Sequence, residues 1–354
     1  MKNRLSVSRR NFLKKSSIGL GGGIIGSSVL SCSPGMAGAK TRLPREVCLV
    51  SVDLKGLWPD KTRESRIKRM LERMDEITGL NPDLLCLPEL FDTSWVEEEK
   101  PLIEVAEDEK VPGPVTRRIA EFAKKHHCYV VCPVYTSSGG HFYNSSLLID
   151  RKGDIAGVYH KIHPVKSEIL PDNAIKGGGI LPGALDQPVL DTDFGKVGML
   201  ICYDANWSDG WDSLKRKGAE IILFSSQFPG GRILNYYASK NGYYIVSSTG
   251  GDARVIDMSG NDLDSSSTFV RYAWSKVNLE KVNTPTWPTR DKLPELFNTY
   301  GNRIGIKVWD DTDIITIESL DSGLKVKDIL KEFKIQSNDE LVATTEQVQN
   351  KYRP

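Results

Sequence analysis

The stretch Gly198-Met199-Leu200-Ile201-Cys202-Tyr203-Asp204-Ala205-Asn206-Trp207 carries an apolar run into a thiol and then breaks at once into polar company. A short apolar run bounded in this way reads as a buried strand, 197–202, ending on Cys202. Two roles suit a cysteine there. It can be structural, since free thiols are among the most buried groups, or it can be a nucleophile held at the rim of a sheet. Downstream, the pattern predicts a helix over 211–217, a strand over 220–225, a helix over 233–241 and a strand over 243–248. Upstream it predicts a strand over 46–54, then a helix over 60–77 with Ile67, Met70, Leu71 and Met74 at helical spacing. A nearly all-apolar strand at 83–88, a helix at 115–127 and a strand at 129–135 follow. Strands 143–149 and 155–162 flank the turn Arg151-Lys152-Gly153-Asp154, and 176–188 is a Gly- and Pro-rich loop. Apolar strands alternating with helices predict an α/β fold whose sheets are covered on at least one face.

The 354 residues allow one large domain or two ordinary ones. Lys plus Arg is 47 against 46 acidic residues, which leaves no basic field for a phosphate backbone. That balance excludes nucleic acid as the main partner and favours a small molecule. Ser8-Arg9-Arg10-Asn11-Phe12-Leu13-Lys14 reads as a twin-arginine export motif. The Gly-rich stretch 18–30 behind it is too short and interrupted for a span, which needs ~20 apolar residues. Val29-Leu30-Ser31-Cys32 has the form of a lipobox that would acylate Cys32, while Ala37-Gly38-Ala39 offers simple cleavage before Lys40. The expectation is a leader over 1–39 and a periplasmic or membrane-tethered product. Five cysteines follow Cys32, an odd number at irregular spacing. Cys128 and Cys132, in one strand, would lie ~13 Å apart, too far to bridge. At least one thiol is expected to stay free.

Three strand ends carry chemistry. Glu89 follows Leu84-Leu85-Cys86-Leu87-Pro88, Lys161 lies in Val158-Tyr159-His160-Lys161-Ile162-His163-Pro164, and Cys202 ends the quoted run. Singly, each suits a solvated loop or a core position. Together they supply a base, a cation and a nucleophile, the set that acyl transfer to a thiol requires. A thiol of pKa ~8.5 is only a few per cent thiolate at neutral pH and needs such help. Glu89 can take its proton if burial raises the carboxyl pKa. Lys161 and the backbone N–H of Tyr203 can hold the oxyanion, a donor of this kind being worth ~3 kcal/mol. No metal or organic cofactor is called for.

These stretches resemble the nitrilase (carbon-nitrogen hydrolase) superfamily, whose members share a Glu-Lys-Cys triad in this chain order. The matches are Leu85-Cys86-Leu87-Pro88-Glu89-Leu90-Phe91, Tyr159-His160-Lys161-Ile162-His163 and Ile201-Cys202-Tyr203-Asp204, supported by Tyr143-Asn144-Ser145 and Gly218-Ala219-Glu220-Ile221-Ile222. The similarity covers roughly 47–279. It implies a four-layer α-β-β-α sandwich over 40–282 and hydrolysis of a carbon-nitrogen bond through a cysteine thioester. Tyr203-Asp204 resembles the amidase and carbamoylase branches, so amide or N-carbamoyl substrates are expected ahead of nitriles. The resemblance also implies that Glu168 orients the lysine or the substrate. Asn144 is expected to fix the hairpin near the site. Ser208-Asp209 stands where relatives have Pro-Glu, with Ser208 expected to cap the following helix. Pro164 departs from the family pattern in the loop after the lysine. Tyr135, Trp95, Gln227 and Phe228 are placed as pocket walls by position alone.

His160 and His163, on opposite faces if the strand continues, do not suggest a shared metal. A Cys-His dyad would leave Glu89 and Lys161 without a role. Beyond Leu279, Thr284-Pro285-Thr286-Trp287-Pro288 reads as a stiff linker, 293–300 and 304–309 as segments along the sandwich, and 325–334 and 339–351 as charged helices. The extension 283–354 is expected to pack on the domain or on a second subunit, since tails of related enzymes reach across to a partner, and a homodimer or higher homo-oligomer is expected. Two other readings share the fold: an amide-forming acyltransferase using the same thioester, and a catalytically silent envelope binding protein.

Overall fold

The computed structural model describes residues 43–56, 61–97, 100–170 and 179–354. The export motif, Cys32, the cleavage site and the first part of the Gly- and Pro-rich loop lie outside the described residues. Residues from 43 onward belong to one compact unit. No helix among the described residues is long and apolar enough to cross a membrane.

The first half runs β1 (Glu46–Val52), α1 (Arg63–Glu76), β2 (Leu84–Cys86), α2 (Leu102–Val105), β3 (Glu107–Asp108), α3 (Pro114–His126), β4 (Tyr129–Ser138), β5 (His141–Ile149) and β6 (Ile155–His160). Then come α4 (Lys166–Ile169), β7 (Leu190–Asp191), β8 (Lys196–Ile201), α5 (Ser208–Arg216), β9 (Ile221–Ser225), α6 (Arg232–Asn241), β10 (Tyr244–Ser248), β11 (Ala253–Ile256), β12 (Asp262–Ser265) and β13 (Tyr272–Asn278). The first sheet has the order β13-β1-β2-β4-β5-β6, with β3 beside β4; the second has the order β12-β11-β10-β9-β8-β7.

The period of two along the strands sorts the core into layers. Cys48, Val50, Leu85, Val130, Cys132, Leu147 and Ile149 pack outward against Ile67, Met70 and Met74 of α1 and Ile119 and Phe122 of α3. Their alternates Val47, Leu49, Leu84, Cys86, Val131 and Leu148 share a second core with Met199, Ile201, Leu223 and Val246 of the other sheet. Trp211 of α5 and Tyr237 of α6 close that core from the far side, their rings stacked at 4.4 Å. The result is the α-β-β-α sandwich. Local chemistry sets the helix ends: Thr62 and Ser65 form a reciprocal capping box on α1, and Pro114 opens α3 where its missing N–H costs nothing.

Serine hydroxyls join the sheets across their shared face. Ser51 Oγ donates to the Ser247 carbonyl at 2.5 Å, Ser225 Oγ to the Leu87 carbonyl at 2.8 Å, and Ser248 Oγ to the Val52 carbonyl. Each hydroxyl thus satisfies a buried polar group across an apolar seam.

Several expectations need correction. The strand carrying the lysine ends at His160, so Lys161 begins a loop and His163 lies beyond the strand. Trp207, not Ser208, occupies the N-cap of α5, and no side chain caps it. Strands β11, β12 and β13 had no sequence signal strong enough to name them, although β13 pairs antiparallel with β1 and completes the first sheet. The supposed linker is ordered: β14 (Lys281–Pro285) pairs with β16 (Ile314–Ser319), and α7 (Thr286–Tyr300) starts immediately after it. With β15 (Ile304–Trp309) these form a third sheet, β14-β16-β15, with its own core of Leu296, Ile304, Ile315, Ile317, Ile329 and Leu330. Helices α8 (Val326–Glu332) and α9 (Asn338–Tyr352) complete this layer. It is tied to the sandwich by Asn278 Nδ2 donating to the Ser319 carbonyl at 2.7 Å and by Lys281–Asp257 and Lys215–Asp339 ion pairs.

Candidate active site

Four of the expected residues come from the first sheet and its loops. Glu89 follows β2, Asn144 lies in β5, Lys161 directly follows β6, and Glu168 sits in the single turn α4. The Lys161 ammonium, 2 % exposed, lies 2.8 Å from Glu89 Oε1 and 3.0 Å from Glu168 Oε2. Asn144 Nδ2 bridges the same carboxylates, donating to Glu89 Oε1 at 2.8 Å and to Glu168 Oε1 at 3.2 Å. Burial pulls the lysine pKa down, but Glu89 and Glu168 outweigh it and hold the ammonium above the ordinary lysine range. A buried charge persists only when paired and hydrogen-bonded, and this cluster meets that condition.

The second sheet supplies the thiol. Cys202 stands at the end of β8 with φ 47°, a left-handed conformation that a non-glycine residue adopts at a cost on the order of 1 kcal/mol. The chain then enters a 3₁₀ turn, Cys202–Asn206. Desolvation and the Glu89 charge push the thiol pKa up to about 12, against the opposing pull of Lys161. The resting group is therefore a neutral thiol.

The sheets meet at Gln227, just past β9. Its backbone N–H donates to Glu89 Oε2 at 2.9 Å, and its side-chain amide donates to the Glu89 carbonyl. Gly250 makes this possible, because a Cβ there would sit 2.2 Å from the Gln227 carbonyl oxygen. Glu89, Lys161, Glu168 and Cys202 line one cavity of about 310 Å³. Tyr135, Trp95, Gln227 and Phe228 line it too, with Trp95 Nε1 donating to Gln227 Oε1 at 3.2 Å.

The side chains of the remaining candidates do not line this cavity. Tyr203 follows the thiol in sequence, but its exposed ring stands edge-on to Trp207 at 5.2 Å. His163 stacks on Trp207 at 4.2 Å, and both its nitrogens lie 3.3 Å from carboxylates, those of Asp204 and Asp209. The Asp204 contact outweighs burial and raises the His163 pKa. His160 pairs with Glu109 at 3.0 Å, and burial lowers its pKa.

Residues 56–261, more than half of the chain, match the carbon-nitrogen hydrolase family. The chain belongs to that family. This carbon-nitrogen hydrolase family member is 31% identical over 179 residues to a nitrilase of Pyrococcus abyssi, covering 50% of this chain and 63% of the relative. It is 28% identical over 196 residues to the deaminated glutathione amidase of Rattus norvegicus, covering 52% and 57%. The chain thus spans less than two thirds of either curated relative. Among solved structures, its fold matches the NitFhit protein of C. elegans with a TM-score of 0.56 at 18% identity, covering 74% of this chain and 66% of that one. It matches an amidase from Nesterenkonia sp. with a TM-score of 0.54 at 16% identity, covering 76% and 100%.

In this family member, Gln227 and Asp204 do more than their local sequence signals. Gln227 was placed only as a wall, and no local signal marks a backbone N–H as a partner for a carboxylate 138 residues away. Asp204 served only as a branch marker. The structure shows its carboxylate buried beneath the cysteine turn.

Proposed function

We propose that the protein hydrolyses a small amide or N-carbamoyl compound through a thioester on Cys202, with Glu89 and Lys161 completing the triad. The observation that carries this reading is the buried Lys161 ammonium, held between Glu89 and Glu168 in the cavity that Cys202 lines. As Cys202 Sγ bonds to the carbonyl carbon, its proton passes to Glu89, and Lys161 with the Tyr203 backbone N–H stabilises the oxyanion. The tetrahedral species collapses to the thioester, the C–N bond breaks, and Glu89 returns the proton to the departing nitrogen. Water then attacks the thioester while Glu89 takes its proton. The proton goes back to the thiol, and a carboxylic acid leaves, or carbamic acid, which decomposes to carbon dioxide and ammonia, where the substrate is N-carbamoyl. Glu168 and Asn144 hold the lysine and the glutamate in register. Tyr203-Asp204 after the cysteine and the amidase relatives favour amides over nitriles.

The test is ammonia release from a panel of amides, N-carbamoyl amino acids and nitriles, with Cys202→Ala as control. Turnover lost in the variant, with the wild-type acyl adduct seen on Cys202 by intact-protein mass spectrometry, supports the reading. Equal silence, or equal activity, in both proteins sinks it. Hydroxylamine tests the thioester by trapping it as a hydroxamate, and product analysis separates water from an amine as acceptor. The Ser8–Lys14 motif and Val29-Leu30-Ser31-Cys32 support export and lipid tethering at Cys32. That proposal fails if Cys32→Ala leaves membrane fractionation unchanged. Homodimerisation, proposed from the family resemblance, is tested by sedimentation.

A further inference from the structure

Asp204 is 2 % exposed, and its carboxylate joins the strand ends that present both the thiol and the ammonium. Its Oδ2 accepts from the Ile201 backbone N–H at 2.8 Å, one residue before Cys202, and from the Tyr159 hydroxyl at 2.6 Å. Its Oδ1 accepts from the His163 backbone N–H at 2.8 Å, two residues after Lys161. The Asp204 carbonyl accepts from Trp211 Nε1 at 3.3 Å, which ties the same turn to α5. One carboxylate therefore takes donors from β8 and from both sides of the lysine. The cysteine it flanks is the strained one, at φ 47°.

We infer that Asp204 is a positioning residue: its carboxylate clamps the Cys202 turn of the second sheet to the Lys161 loop of the first and holds thiol and ammonium in reacting register. The inference rests on the triad reading above. The physical ground is acceptor capacity. A carboxylate offers acceptors on both oxygens, whereas an amide of the same shape offers one oxygen and must turn N–H groups toward a donor. Asp204→Asn therefore sets an N–H against either the His163 or the Ile201 backbone N–H, and the two loops move apart. A shift near 1 Å in such a constellation costs on the order of 100-fold in rate.

The experiment measures kcat and KM for an amide that the wild type turns over, together with Tm, in Asp204→Asn, Asp204→Glu, Tyr159→Phe and Cys202→Ala. Asp204→Asn is expected to lower kcat about 100-fold with KM within about threefold, because the alignment of the reacting groups changes and the cavity wall does not. Asp204→Glu keeps the acceptors and is expected to recover part of that loss; it also serves if the asparagine variant does not fold. Tyr159→Phe removes one side-chain donor but neither backbone donor, so it is expected to lower Tm while leaving kcat within about fivefold. The clamp is overturned if Asp204→Asn keeps wild-type kcat, if its loss appears in KM alone, or if Tyr159→Phe matches it. Activity in Cys202→Ala would instead remove the triad reading itself, so the two failures are distinguishable.

Discussion

The two sheets of the sandwich contribute unlike things to one cavity. The first brings every charged group described there: Glu89, Lys161 and Glu168, with Asn144 bridging the carboxylates. The second brings the neutral thiol of Cys202 and the Gln227 backbone N–H that holds Glu89 from across the seam. On one sheet the ammonium and both carboxylates pair and hydrogen-bond with one another before substrate arrives, which makes their burial tolerable. The thiol on the other sheet stays protonated, because burial disfavours a thiolate and the Glu89 charge adds to that effect. The contrast teaches that the site belongs to neither sheet. It forms only where the two sets of strand ends meet.

The strongest way to break the contrast is to remove the cation. Lys161→Met leaves Glu89 and Glu168 facing each other without a counter-charge, and breaking a buried pair costs about 3–5 kcal/mol. Turnover is expected to fall at least 1,000-fold with a lower Tm, checked by steady-state kinetics and calorimetry. Asn144→Ala removes donors from both carboxylates but keeps the ion pairs. A loss of about 1–3 kcal/mol in transition-state stabilisation, about 5- to 150-fold in kcat/KM, is expected.

The neutral thiol can be tested separately from turnover. Burial and, after it, the Glu89 charge raise the Cys202 pKa, so Glu89→Gln removes the second cause and is expected to lower the pKa and increase the thiolate fraction at pH 8. Iodoacetamide should then alkylate Cys202 faster in the variant while amide turnover falls. In the wild type the alkylation rate should still be climbing above pH 10, toward the raised value of about 12. A wild-type profile levelling near pH 8.5 would contradict this. The smallest effect is expected at the seam. Ser225→Ala removes the hydrogen bond to the Leu87 carbonyl and should cost about 1 kcal/mol, about 2 °C in Tm, with kcat nearly unchanged. A large loss of activity there would mean that the sheet-to-sheet bonds themselves tune the site.

Much of this arrangement was legible in the chain, for reasons that differ by residue. Strands β2 and β8 are short apolar runs, and Glu89 and Cys202 were visible as the points where that pattern stops. Lys161 was legible only through its motif, since its strand ends at His160, two residues earlier than the pattern suggested. Strand β12 is mostly exposed and polar, and β13 alternates weakly; neither stands out without its pairing partners. The segment 284–288 read as a linker because its prolines and threonines carry no periodicity. Thr284 and Pro285 instead pair with β16, whose residues lie about thirty positions downstream, and Thr286 opens α7.

The sequence by itself determined the α/β layering, the strand ends that carry glutamate, lysine and cysteine, and the electrical balance that favours a small-molecule partner. Those properties depend on near neighbours and composition, which a linear pattern records. Only the tertiary structure decided that Gln227 and Gly250 hold Glu89, that Asp204 joins the cysteine turn to the lysine loop, and that strands within 281–319 build a third sheet. Those contacts link positions far apart in the chain, and a hydrogen bond across such a distance leaves no local periodicity for a sequence to display.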